Sequence, residues 1–260
     1  MLRTFGLALI VIGLSSNMAF AAPCPGQSDT LGTARILTVD PASTAPVGRK
    51  SLPRTLPLAP KEVVLTFDDG PWPATTVAVL EALKRECVLA TFFLIGRMAT
   101  DHPALARRIL AEGHTVGHHS HVHPILDRMN TVAAEAEIDR GFAAVDTALY
   151  GRANVRDGIV RPRTAFFRFP GFASTPALLD RLNQRGIAVF GTDFWASDWN
   201  PMTPDQQLRL VLERLEAAGG GIVLFHDTKT QTAAMIPAFL RALKHGGYSV
   251  VHIVPSKATN

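Results

Sequence analysis

The chain of 260 residues carries 26 Lys and Arg against 22 Asp and Glu, a net charge of only +4, with two cysteines. With 47% hydrophobic residues and a pI of about 9.4, it suits a well-cored globular protein weakly attracted to anionic cell-wall polymers, with no basic helix or nucleic-acid motif. No stretch reaches the roughly 20 apolar residues that a membrane helix needs.

Met1-Leu2-Arg3-Thr4 gives a positive start, Phe5 to Leu14 a short apolar core, and Ala19-Phe20-Ala21 small residues for cleavage. Residues 1–21 therefore read as a secretory signal peptide, and the protein as exported, periplasmic or secreted. Pro23 makes Cys24 a poor site for a lipid anchor. In an oxidising compartment Cys24 and Cys87 either pair, tethering the N-terminal arm, or leave Cys87 buried and Cys24 free. Residues 22–60 hold seven prolines and read as an extended arm, with 35–39 as one strand laid on a domain spanning 61–260.

From residue 62 onward apolar runs alternate with helical patterns. Strands are expected near 63–67, 89–94, 114–117, 165–168, 187–191, 221–225 and 248–253. Helices are expected near 74–86, 102–112, 131–149, 175–185, 204–217 and 231–245, several opened by Thr, Asp or Pro and closed by Gly. The alternation predicts a parallel sheet with right-handed crossovers. Polar residues at so many strand ends favour a closed or nearly closed barrel over an open sheet.

The first strand runs into Asp68-Asp69-Gly70-Pro71. Two adjacent carboxylates buried together repel and lose hydration, so the pair must meet water, a cation or a substrate. Between Gly113 and Pro124 lie five of the nine histidines. His119 and His123 stand four apart, and on one helical turn both imidazoles share a face. One carboxylate plus two such histidines makes a three-ligand site with an open position for water, as a hydrolytic Zn²⁺ requires. His118 and His121 read as bystanders. Ser120 stands where a zinc protease would carry its glutamate base, so the base must come from elsewhere, and Asp68 is available.

Further along, Phe166-Phe167-Arg168-Phe169-Pro170-Gly171 is a strand ending in a cation that needs an anion. The strand Gly221-Ile222-Val223-Leu224-Phe225 ends at His226, the natural general acid. The loop from Gly151 through Arg163 is the densest basic patch and reads as solvated.

These segments resemble the polysaccharide deacetylases of carbohydrate esterase family 4. The first motif of that family is similar to Thr66-Phe67-Asp68-Asp69-Gly70, the second to His119-Ser120-His121-Val122-His123, the third to Arg168-Phe169-Pro170, and the fifth to Leu224-Phe225-His226. Four motifs in order make the resemblance specific, over about residues 61–254. The fourth departs from the pattern. Where the family carries an orienting aspartate three residues before the motif's last Asp, this chain has Trp195; Asp198 matches that last Asp, and Asp193 is a nearby substitute.

The resemblance implies a distorted (β/α)7 barrel in the α/β class. It implies a divalent cation, most often Zn²⁺ with Co²⁺ or Ni²⁺ as alternatives, held by Asp69, His119 and His123. Asp68 would be the base, oriented by Arg168, and His226 the acid, with the Gly171 N–H as an oxyanion donor beside Pro170 and Leu224. Trp195, Trp199, Phe172 and Phe194 are candidates to line a sugar cleft. The implied reaction removes N-acetyl groups from a GlcNAc-containing glycan, chito-oligosaccharide or peptidoglycan; the implied partner is that glycan, with no protein partner. A de-O-acetylase, for example of xylan, and a secreted glycan-binding protein with weakened catalysis are the alternatives. A metal-dependent phosphatase would show a second carboxylate cluster or a phosphate-cradling glycine loop, and neither is visible.

Overall fold

The computed structural model describes residues 29–256. The expected signal peptide and Cys24 lie outside the described residues; Cys87 is disulfide-bonded.

In chain order the elements are β1 (Thr33–Val39), β2 (Glu62–Asp68), α1 (Thr75–Arg85), β3 (Thr91–Leu94), α2 (Gly96–Asp101), α3 (Pro103–Ala111), β4 (Thr115–His118) and α4 (Thr131–Tyr150). There follow β5 (Val155–Arg156), β6 (Ile159–Val160), β7 (Phe166–Phe167), α5 (Pro176–Gln184), β8 (Ala188–Val189) and β9 (Phe194–Trp195). The chain ends through α6 (Pro204–Ala218), β10 (Gly221–His226), α7 (Thr230–His245) and β11 (Ser249–Pro255). The expected helix near 102–112 begins earlier, as two short helices broken at His102. The basic loop carries a hairpin, β5–β6, turned by Asp157-Gly158 with both residues at positive φ.

Every pairing in the main sheet is parallel, and the ring order β9-β10-β2-β3-β4-β7-β8 is that of a (β/α)7 barrel. Among the described residues no strand pairing joins β8 to β9. There the segment after β1 intervenes: Val47 bridges Phe190, and the Lys50 N–H donates to Thr192 O at 2.9 Å. Val47 and Leu56 are buried with Val64, Phe93, Phe190 and Ile222, so the segment read as an extended arm contributes to the interior. Each such side chain contributes roughly 1.5–3 kcal/mol of burial. β1 lies outside the ring, parallel to β11.

Strands β7 and β8 are shorter than expected, and just past β8 the carbonyls of Phe190 and Gly191 accept from the Arg168 side chain, at 3.2 and 2.7 Å. Register then levels the strand ends. Asp68 lies opposite His226 and Phe93, Leu94 opposite His118, and His118 opposite Phe167. All the polar strand ends therefore meet at one rim.

Candidate active site

Two neighbouring aspartates leave β2 in different directions. Asp69 adopts φ +77°, a left-handed conformation that Asp tolerates better than most residues, and this swings its carboxylate away from that of Asp68. The turn needs Gly70: a Cβ there would stand 2.1 Å from the Asp227 carboxylate. Asp227 is itself fully buried and accepts from the Thr76 hydroxyl; burial above all lifts its carboxyl to about 7.

His119 and His123 converge without a helical turn, a correction to the sequence expectation. Their segment is a loop in which Ser120 and His123 both have φ of +62°. Local sequence favours helical spacing, but the loop is latched from three sides. Glu137 of α4 accepts the amides of His121 and Val122 at 3.0 and 2.6 Å. The amides of Gly96 and Arg97 donate to Ser120 O and His121 O, both at 2.9 Å. Gly141 lets α4 approach, since a Cβ there would lie 2.5 Å from Ser120 C.

The Nε2 atoms of His119 and His123 stand 3.6 and 3.5 Å from Asp69 Oδ1. Ligands about 2.1 Å from a tetrahedral ion are about 3.4 Å apart, so these gaps fit one bound cation. Asp69 Oδ1 is buried and has no hydrogen-bond partner, as expected of an oxygen reserved for a ligand. His119 Nδ1 contacts Arg168 O at 2.8 Å, which fixes the tautomer with the Nε2 lone pair facing the site. Burial, with His123 adding to it, holds His119 at about 3, so the ring is neutral and ready to ligate.

Arg168 is fully buried, and its side chain donates four hydrogen bonds. Its guanidinium donates to Asp68 Oδ1 and Thr66 Oγ1, each at 2.8 Å, besides the two carbonyls already described, and it lies over the Phe93 ring. Burial raises the Asp68 carboxyl above its ordinary value, opposed by Arg168, His226 and His123. The other Asp68 oxygen remains 3.7 Å from His119 Nε2, at the edge of the ligand group.

On the neighbouring strand β10, His226 presents Nε2 3.9 Å from Asp69 Oδ2. Its Nδ1 stands 2.7 Å from Asp198 Oδ1. Burial pushes this imidazole down, but the Asp198 bond and charge, helped by Asp69 and Asp68, raise it to about 9. Asp198 is buried and is nonetheless held below the usual carboxylate range by hydrogen bonds from His226 and Thr232. The cavity has a volume of about 430 Å³. Its apolar wall is an aromatic chain: Phe172 stacks on Trp195, Trp195 meets Trp199 edge to face, and Trp199 meets the His226 ring in the same way.

The family model for polysaccharide deacetylases matches residues 56–190. The chain belongs to the polysaccharide deacetylase family. It is 33% identical over 193 residues to a peptidoglycan-N-acetylglucosamine deacetylase of Listeria monocytogenes, covering 74% of this chain and 38% of that protein. It is 31% identical over 205 residues to a chitooligosaccharide deacetylase of Rhizobium leguminosarum bv. trifolii, covering 73% and 89% of the two chains. A solved Bdellovibrio bacteriovorus peptidoglycan deacetylase superposes with a TM-score of 0.76 at 30% identity, over 93% of this chain and 65% of that one. The chain thus spans well under half the length of the Listeria relative.

Against the expectations for this deacetylase family, Asp68, Asp69, His119, His123, Gly171, Trp195, Trp199, Leu224 and His226 all line the cavity. Arg168 and Asp198 stand behind that wall. Asp198, the match to the fourth motif's last Asp, is the carboxylate that meets His226, through both its imidazole and its backbone N–H. Asp193 does not approach His226; its carboxylate accepts from Arg49 N, Thr55 Oγ1 and Ile222 N, tying the N-terminal segment to β10. Pro170 is buried and shapes the turn without reaching the cavity, and Phe194 is a core residue. Sequence reasoning missed Phe169 and Lys229, which line the cavity, and Glu137, which anchors the loop. Glu137 is one of two acids, with Asp146, on the buried face of α4, a signal that sequence reasoning did not use.

Proposed function

We propose that the protein is a metal-dependent hydrolase that removes N-acetyl groups from a GlcNAc-containing glycan, peptidoglycan or chito-oligosaccharide, after export from the cytoplasm. The observation that carries this reading is the spacing of Asp69 Oδ1 and the two imidazole Nε2 atoms, with Asp68 and His226 lining the same cavity. A divalent cation, Zn²⁺ or alternatively Co²⁺ or Ni²⁺, would be held by Asp69, His119 and His123; when bound it acidifies water and polarises the acetyl carbonyl.

Asp68 takes the proton of the attacking water on the oxygen that Arg168 leaves free. Its raised affinity for a proton suits a general base, and Arg168 fixes its direction. Gly171, at the cavity wall with φ +57°, is the backbone donor to the oxygen that gains charge. His226, kept protonated by Asp198, gives its proton to the departing amine. Two titratable groups pushed to opposite tasks by their surroundings divide the base and acid work. The products are acetate and a free amino sugar.

Trp195 would favour a glycan-binding protein if it left His226 without a carboxylate. Asp198, at 2.7 Å, removes that support. The test is acetate release from chito-oligosaccharides, peptidoglycan glycan and acetylated xylan, with chelator and with Zn²⁺ restored. Metal-dependent release from either N-acetylated substrate is expected. Release from xylan alone would make the enzyme an O-esterase, and full activity in Asp68→Asn would remove the assigned base.

A further inference from the structure

A second groove of about 380 Å³ continues from the first past Asp69, His123 and Lys229, on the side away from Trp195. Its volume is that of a small-ligand site. Trp72 forms one side, 47% exposed, with Val122, 44% exposed, and Met98 as further apolar surface. The Trp72 backbone is pinned, its N–H donating to Thr76 Oγ1 at 2.7 Å. An exposed indole beside an apolar surface matches the face of a sugar ring.

Two cations give this groove its character. Arg97 and Lys229 both line it, and among the described residues neither side chain is in an ion pair or hydrogen bond. The cation on the Trp195 side is engaged differently, with Lys50 Nζ lying 5.0 Å from the indole centroid. The one carboxylate lining the second groove is Asp69, whose Oδ1 belongs to the ligand group. Cations left without a counter-charge in a groove recognise an anion brought by the ligand.

We propose that Trp72, Arg97 and Lys229 form a subsite for an acidic sugar next to the one deacetylated, so that the enzyme prefers glycans bearing carboxylates over neutral ones. This deepens the deacetylase reading and rests on it. Trp72 takes the sugar face; Arg97 and Lys229 take a carboxylate such as that of the lactyl ether of N-acetylmuramic acid. Chitin chains fill the aromatic requirement but leave both cations unpaired.

The test compares kcat/KM of the zinc-loaded protein on a peptide-free GlcNAc–N-acetylmuramic acid tetrasaccharide and on chitotetraose. The ratio of acidic to neutral substrate is expected to fall about tenfold in Arg97→Gln and in Lys229→Gln, chiefly through KM, as loss of one charge-assisted contact implies. In the wild type the ratio is expected to shrink as NaCl is added. Trp72→Ala should raise KM for both substrates and leave the ratio in place. Calorimetric binding of both tetrasaccharides to Asp68→Asn protein reads the subsite without turnover. A binding preference for the acidic chain without acetate release would sink the proposed reaction and keep the subsite. Equal binding of the two chains, or a ratio unmoved in both cation variants, would overturn the subsite whatever the reaction.

Discussion

The carboxylate of Asp198 holds His226 at two points: Oδ1 stands 2.7 Å from the imidazole Nδ1, and Oδ2 accepts the His226 backbone N–H at 2.7 Å. The ring can therefore neither turn nor change tautomer without losing a buried charge-assisted bond. Asp198→Asn should lower kcat by about 10²–10⁴-fold, the usual worth of a positioned acid. Because Asp198 is what raises the imidazole, the alkaline fall in activity should begin at lower pH in the variant. A pH profile of acetate release checks both statements, and an unchanged profile would sink them.

Cation binding is expected to stabilise the fold. Zn²⁺ at a hundredfold excess over its Kd should add about 2.7 kcal/mol to chelator-treated protein. The rise in Tm should vanish in Asp69→Ala and in His119→Ala. A rise that persists in both would place the ion elsewhere.

Glu137 is predicted to act on the cation through the loop it anchors. Glu137→Ala leaves the partly exposed amides of His121 and Val122 without their shared acceptor, which loosens the loop. Zinc affinity should fall about 10–100-fold, as for other groups that orient ligands. Glu137→Gln keeps an acceptor oxygen and should recover most of the affinity, which equilibrium metal titration will reveal.

Asp146, near the end of α4, sets a pH dependence of stability far from the site. It accepts the Arg163 N–H at 3.2 Å, yet burial above all raises its carboxyl from 3.8 to about 6. Between these values the folded state binds more protons than the unfolded chain, so stability falls as pH rises through the window and stays lower above it. Asp146→Asn should melt higher than wild type above pH 6, and the gap should close towards pH 4. A constant gap across that range would exclude the ionisation as its cause.

The interior clasp made by the N-terminal segment should be costly to loosen. Leu56→Ala is expected to destabilise by about 2–5 kcal/mol, as for other buried leucines. Urea unfolding measures it, and a loss below about 1 kcal/mol would mean that the ring holds without this plug.

Much of this was legible because strand ends advertise themselves. Asp68, Arg168 and His226 each follow an apolar run with period and length suited to a buried parallel strand, and register does the rest. Loop geometry was not legible. The spacing of His119 and His123 suggested a helical turn, whereas contacts from Glu137, Gly96 and Arg97, distant or oppositely placed in the sequence, impose a left-handed loop. Trp195 obscured the partner of His226 because a motif read in line says nothing of which carboxylate folds back. The proline-rich segment carried no periodicity to reveal that Val47 and Leu56 would be inside.

The pairing of β1 with β11 joins the first described strand to the last. On a ribosome one half of that ladder emerges long before its complement, since about two hundred residues separate them. Such distant contacts slow folding, because a long loop must close before any of them forms. Until then the nascent polypeptide has an incomplete sheet, and its last ladder waits for the closing strand.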